Sequence, residues 1–290
     1  MNFQIESTSF CNLTCRECVN VYMQRKRESM TMEVWQTIID RYVIPFRHIN
    51  ANGPPAILPH KDGESLLHKE LPVMLAYAAS KVPEANIDIY THGLLLPRKP
   101  DFIPFLGSLP NKVRLLISFH FYNHDGSEND YGPLADYLRQ AIPNRPRNVE
   151  IILASHLIAP MTRDRLESWA NEWRPYGISV HANANINPWT GLMNEVATSP
   201  SPKMCIYEQF HHMFFGVTGN VIACCLDLEE EIVFGNVMRD DPEVMFGTVG
   251  AFYAAQRRRE HPHIVCNDCY GLPRGPKQEE LLQLAMKTRG

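Results

Sequence analysis

Six short apolar or β-branched runs recur through the first two-thirds of the chain, with helical patterns between them. The runs occupy residues 3–8, 55–60, 86–92, 113–119, 149–155 and 177–184; VRLLISF and VEIILAS are nearly continuous in apolar residues. Such runs suit parallel strands buried on both faces. The stretches 31–46, 68–82, 100–109, 131–142 and 162–173 carry apolar residues at helical spacing, the first behind Thr31 as an N-cap. Repeated strand–helix alternation requires right-handed crossovers that lay each strand parallel to the one before. Six units rather than eight predict an α/β fold built as an open, partial (β/α)6 barrel.

After Ala184 this rhythm stops. ATSPSPK at 197–203 reads as a linker, which predicts a barrel over 1–196 and a smaller domain over 197–275. Within the smaller domain, 217–225 and 230–236 predict a hairpin and 241–260 a helix; residues 276–290 are left as a C-terminal helix or tail. The net charge of −4 supplies no general basic field for nucleic acid. There is no apolar run long enough for a membrane span, and MNFQIESTSF lacks a signal-peptide pattern. The expectation is a cytoplasmic protein with neither nucleic acid nor membrane as partner. In that compartment the eight cysteines point to metal or catalytic roles rather than disulfides.

In parallel α/β folds, chemistry gathers beyond the carboxyl ends of the strands. Polar residues collect there six times in this chain. Cys11, Cys15 and Cys18 follow the first run, and Asp62, Gly63 and Glu64 the second. Thr91 and His92 end the third, Ser118 and His120 the fourth, His156 the fifth and Asn183 the sixth. Tyr90, Tyr122, Asn185 and Trp189 would add to a polar, partly aromatic rim. The loop CNLTCREC holds three thiols and no nearby fourth ligand, whereas structural zinc sites close with four. A 4Fe–4S cluster on three cysteines instead leaves one iron open for a small molecule.

CNLTCREC resembles the cluster motif of the radical S-adenosylmethionine (radical SAM) superfamily. Gly63-Glu64 resembles its Gly-Glu motif, Thr91-His92-Gly93 its Thr-Asn-Gly strand end, and Ser118 its ribose-contacting position. The resemblance implies a partial barrel with a 4Fe–4S cluster on Cys11, Cys15 and Cys18. It further implies S-adenosylmethionine (AdoMet) on the open iron, contacted by Asp62, Gly63, Glu64, Thr91, His92, Ser118 and Asn183. Reductive cleavage to a 5′-deoxyadenosyl radical would use a flavodoxin- or ferredoxin-type electron donor. Two positions depart from the family pattern: Glu17 replaces the usual aromatic residue before the third cysteine, and Asp62-Gly63-Glu64 replaces Gly-Gly-Glu.

Cys205, Gly219 and Cys224 follow a C-x13-G-x4-C pattern, and Phe234-Gly235-Asn236, Cys266 and Cys269 come after them. This resembles the twitch domain, the shortened SPASM extension. The resemblance implies a second 4Fe–4S cluster on Cys205, Cys224, Cys266 and Cys269; by spacing alone a four-cysteine zinc ribbon fits equally. Cys225 remains, either as a small buried hydrophobe or as a hydrogen-atom donor. The whole pattern resembles twitch-bearing carbohydrate enzymes, the 2-deoxy-scyllo-inosamine dehydrogenase and aminoglycoside epimerase families. The expected reaction is epimerisation of a small polar carbohydrate or aminocyclitol, with Cys225 as donor. One alternative is dehydrogenation, with His120, His156 or Glu150 as base and the second cluster as electron acceptor. Another is peptide modification, disfavoured by a first strand that starts at residue 3 and leaves no leader-binding domain before it. The last is a zinc-binding module without enzymatic activity.

Overall fold

All six expected strands form, and they lie side by side. The computed structural model describes residues 1–49, 53–183, 205, 207, 211–258 and 266. In it β1 (Asn2–Ile5), β2 (Ala56–Leu58), β3 (Asn86–Thr91), β4 (Val113–Phe119), β5 (Val149–His156) and β6 (Ser179–Asn183) pair in sequential order, every pair parallel. Sequential parallel neighbours that never double back are what a partial barrel requires.

The helices fall where the periodicity places them. The first, α1 (Met32–Ile38), continues through a π turn into α2 (Ile44–Phe46), and the Thr31 side chain caps it by accepting from Val34 N–H. Next come α3 (Leu71–Lys81), α4 (Phe102–Ser108), α5 (Gly132–Ala141) and α6 (Arg163–Trp173), with α7 (Pro242–Arg258) in the last third. Two cores hold the layers together. One packs β3, β4 and β5 against α4, α5 and α6, with Trp173 fully buried. The other packs β1 against α1 and α7 around Trp35, whose indole N–H donates to Met74 O at 2.8 Å.

Strand β4 departs from the expected burial on both faces, whereas β1 and β3 carry consecutive buried residues. Along β4, Val113, Leu115, Ile117 and Phe119 are buried while the alternate residues are only half-buried. The half-buried face carries Ser118 to a cavity rather than to a second helical layer.

A second departure concerns the hairpin. The strands β8 (Asn220–Ile222) and β9 (Val233–Asn236) pair antiparallel as expected. They are not a separate sheet, because an unforeseen strand β7 (His212–Phe215) runs parallel to β1 and joins them to the barrel. Phe3, Ile5, Met213 and Phe215 are all fully buried across that junction. Covering β1 removes an exposed strand edge that would otherwise present unpaired backbone groups. The expected domain boundary near residue 197 and the tail over 276–290 lie outside the described residues. Among the described residues no helix is long and apolar enough to cross a membrane.

Candidate active site

The carboxyl ends of β1 to β5 surround a cavity of about 560 Å³. Cys11, Cys15 and Cys18 line it, as do Asp62, Gly63, Glu64, Thr91, His92, Ser118, His120 and His156. Cys225 reaches it from the loop after β8. Residues expected from five separate strand ends therefore share one cavity. Asn183 pairs with His156 in the β5–β6 register, while Asn185, Trp189 and Cys269 lie outside the described residues.

The three thiols suit a soft metal centre. Burial raises the pKa of each, to about 12 for Cys18, and the neighbouring Cys18 and Cys11 sulfurs raise that of Cys15 further. Three converging thiols repel one another once ionised, and a bound cation removes that penalty. An iron–sulfur cluster fits this donor set.

Glu64 organises the far wall. Its Oε1 accepts from Thr91 Oγ1 at 2.8 Å and caps the short 3₁₀ turn Ser65–Leu67 through Leu66 N–H. Its Oε2 accepts from the backbone N–H of His92 at 2.9 Å. His92 Nδ1 accepts from Leu94 N–H, so its proton sits on Nε2 and points to Asn12 Oδ1, 3.0 Å away in the cysteine loop. Burial lowers the pKa of His92, which favours this neutral form. Gly63 has no room for a side chain: a Cβ would stand 2.1 Å from the Thr8 carbonyl oxygen. The next residue donates its N–H to Phe10 O at 2.8 Å, so the Gly-Glu pair is stitched to the start of the cysteine loop.

Asp62 plays a different part from its neighbours. Its carboxylate meets Arg25 at 3.0 Å and also the ammonium of Lys61, while its backbone oxygen accepts from Asn20 at 2.6 Å. Arg25 further pairs with Glu6 at 2.6 Å and Glu230 at 3.4 Å, and Glu229 accepts from the Gln24 and Arg25 backbone N–H groups. This buried clasp joins the cysteine loop, the β2 end and the C-terminal hairpin. Nothing in the local sequence announces it, since its partners are up to 205 residues apart.

Glu17 accounts for one departure from the family pattern. Its Oε1 lies 2.5 Å from His120 Nδ1 and 3.9 Å from His156 Nδ1. Burial would raise the Glu17 pKa, but His120 outweighs it and the net shift is downward. Burial likewise opposes charge on His120, yet Glu17 raises its pKa overall. Each partner thus favours the charged form of the other. Burial and the facing His120 lower the pKa of His156.

On the opposite side, Tyr207 OH lies 3.0 Å from Cys225 Sγ, and both residues line the cavity. Burial raises the Cys225 pKa, so the thiol keeps its proton. Cys224 is not among the residues lining the cavity, and burial together with Cys225 and Cys266 raises its pKa well above the ordinary value. Cys205 is half-buried and packs in the core that includes Tyr253. Two expected site residues fall elsewhere. Tyr122 is 3% exposed and bonds Arg165 instead of facing the cavity. Glu150 sits at the opposite end of β5, in register with Arg114.

Comparison with known proteins agrees with this arrangement. The model of the SPASM iron–sulfur cluster-binding domain matches residues 205–270. The structure of BtrN with AdoMet and 2-DOIA is 17% identical and superposes with a TM-score of 0.61, covering 93% of this chain and 91% of that one. Native anSMEcpe with bound AdoMet is 14% identical with a TM-score of 0.59, covering 99% of this chain and 98% of that one. No curated protein matches the chain in sequence. The chain therefore has the radical SAM fold with a C-terminal SPASM-type iron–sulfur domain.

Proposed function

We infer that the protein epimerises a carbon of a small polar carbohydrate or aminocyclitol. The observation that carries this reading is Cys225, a protonated thiol held by Tyr207 at 3.0 Å on the same cavity as the three-cysteine loop. Cys11, Cys15 and Cys18 would hold the AdoMet-binding cluster, and Cys205, Cys224, Cys266 and Cys269 the auxiliary one. When bound, AdoMet and its cluster supply an adenosyl radical that takes a hydrogen atom from a substrate C–H bond. Glu64, Thr91 and His92 shape the cofactor's wall, and the Arg25 clasp fixes the cysteine loop against it.

Cys225 then acts on the substrate's other face. A C–H bond forms as the S–H bond breaks, and the carbon is inverted. The sulfur radical regains its hydrogen by taking one electron from the flavodoxin- or ferredoxin-type donor and one proton from solvent. The lining suits a hydroxylated or aminated ring, since the tilted rings of Tyr90 and His60, 4.2 Å apart, line the same cavity as Glu17, His120 and His156. BtrN's own complex with 2-DOIA supports that substrate class.

Turnover in D2O tests the reading. The thiol exchanges with solvent, so the epimer should carry deuterium at the inverted carbon; an unlabelled epimer would sink the proposal. Dehydrogenation is the second reading, favoured by the neutral His156 imidazole on the cavity wall as a proton acceptor. It predicts a carbonyl product whose yield survives Cys225→Ala.

A further inference from the structure

Gln4 is a polar residue inside the barrel, within β1; it is 8% exposed and lines the cavity. Its side-chain amide has no hydrogen-bond partner among the described residues, yet neither of its polar atoms is closed off from the cavity. Leu58 on β2 and Phe214 on β7 stand in register with it, so its neighbours across the sheet are apolar. Buried amides are nearly always satisfied, and an unpaired one facing a ligand cavity calls for a complement. Gln4 also sits deeper than the cofactor's wall. Glu64, Thr91 and His92 stand at or beyond strand ends, whereas Gln4 and Tyr90 lie within β1 and β3. Tyr90 is 39% exposed, and its ring lies 4.2 Å from that of His60, centre to centre. His60 comes two residues after Leu58, one strand over from Gln4, which places it about 8 Å away by ordinary strand spacing. A hydroxylated six-membered ring bridges such a gap.

We propose that Gln4 is a specificity residue that reads two neighbouring hydroxyl groups on a substrate ring laid against Tyr90. An amide carries an acceptor and a donor side by side. Its oxygen accepts from one hydroxyl, and its nitrogen donates to the other. The Tyr90 face takes the C–H side of the ring, as aromatic rings take apolar surface. The proposal rests on the carbohydrate reading of the cavity and deepens it, because it names the feature that distinguishes one ring from another. The ribose of AdoMet also carries adjacent hydroxyls, so the test separates substrate from cofactor.

The test is isothermal titration of the cluster-reconstituted full chain, saturated with S-adenosylhomocysteine, with two rings. One is myo-inositol, which has adjacent hydroxyls; the other is cis-1,3,5-cyclohexanetriol, whose hydroxyls alternate with CH2 groups. Wild type should prefer myo-inositol by about tenfold or more, the effect of two hydrogen bonds. Gln4→Met should bring myo-inositol down to the level of the triol and leave the triol's affinity unchanged, a split that a merely structural role would not produce. No saturable binding of myo-inositol, equal affinity for the two rings, or a preference that Gln4→Met retains overturns the proposal. An equal loss of S-adenosylhomocysteine affinity in Gln4→Met also overturns it, because the amide would then serve the cofactor. The wild-type comparison stands even where the variant fails to fold. Turnover is not read, so an unlabelled epimer in D2O would remove the Cys225 reading and leave this result in place.

Discussion

Cys225 is the one atom-sized feature on which the proposed epimerisation turns. Exchange for alanine removes the S–H bond and the hydrogen bond to Tyr207. Epimer formation should fall to background while iron content and AdoMet cleavage persist, as read by product mass spectrometry beside an iron assay. Tyr207→Phe is milder, because it removes one neutral hydrogen bond worth about 0.5–1.5 kcal/mol. The variant should slow turnover several-fold without abolishing it. His60 gives a prediction about pH. Burial lowers its pKa from the ordinary 6.5 to about 3, so the folded protein holds it neutral. Its contribution is complete above pH 6.5 and declines as pH falls, since only the unfolded chain takes up the proton. Between pH 7 and pH 5 the loss is about 2 kcal/mol. Urea unfolding of His60→Gln should lack that share of the acid sensitivity shown by wild type.

At the scale of elements, short connections carry the site. The loop from β1 to α1 bears the three cysteines and is fixed at two places, by Gly63 and by Arg25. Gly63→Ala drives a methyl group into the Thr8 carbonyl, which a Cβ would approach to 2.1 Å. The expected cost is about 1–3 kcal/mol of stability. The loop can relieve the clash only by moving, so the iron we assign to Cys11, Cys15 and Cys18 should fall as well. Arg25→Met leaves Glu6 and Asp62 buried without their main partner, and breaking such a pair costs about 3–5 kcal/mol. Chemical denaturation should show that loss. Lys61 still partners Asp62, which keeps part of the clasp in place.

The whole molecule joins the two cysteine-bearing regions through one sheet. Strand β7 extends the barrel from β1, and the β8–β9 hairpin behind it brings Cys225, but not Cys224, to the cavity lining. After anaerobic reconstitution the chain should carry about eight irons, falling to about four when Cys11, Cys15 and Cys18 are all changed to alanine. Four irons falling to none, with zinc at the second cysteine set, would remove the auxiliary cluster and with it the dehydrogenation route.

Local pattern was enough to read the order of six strands and their helices, and the Thr31 cap. It also exposed the three-cysteine loop and the Gly-Glu pair, because periodicity and close spacing survive in one dimension. β7 escaped notice because HMFF is short and becomes a strand only against the open edge of β1. The Glu17–His120 pair spans 103 residues, and the Gln24–Glu229 contact spans 205. No local pattern encodes such distances. The sequence by itself determined which elements form and which residues end them, since those depend on neighbours along the chain. Only the tertiary structure decided that Glu17, His156 and Cys225 share a cavity and that Tyr122 and Glu150 do not. Side chains meet across a fold through strand register and long-range burial, and those are set when the whole sheet closes.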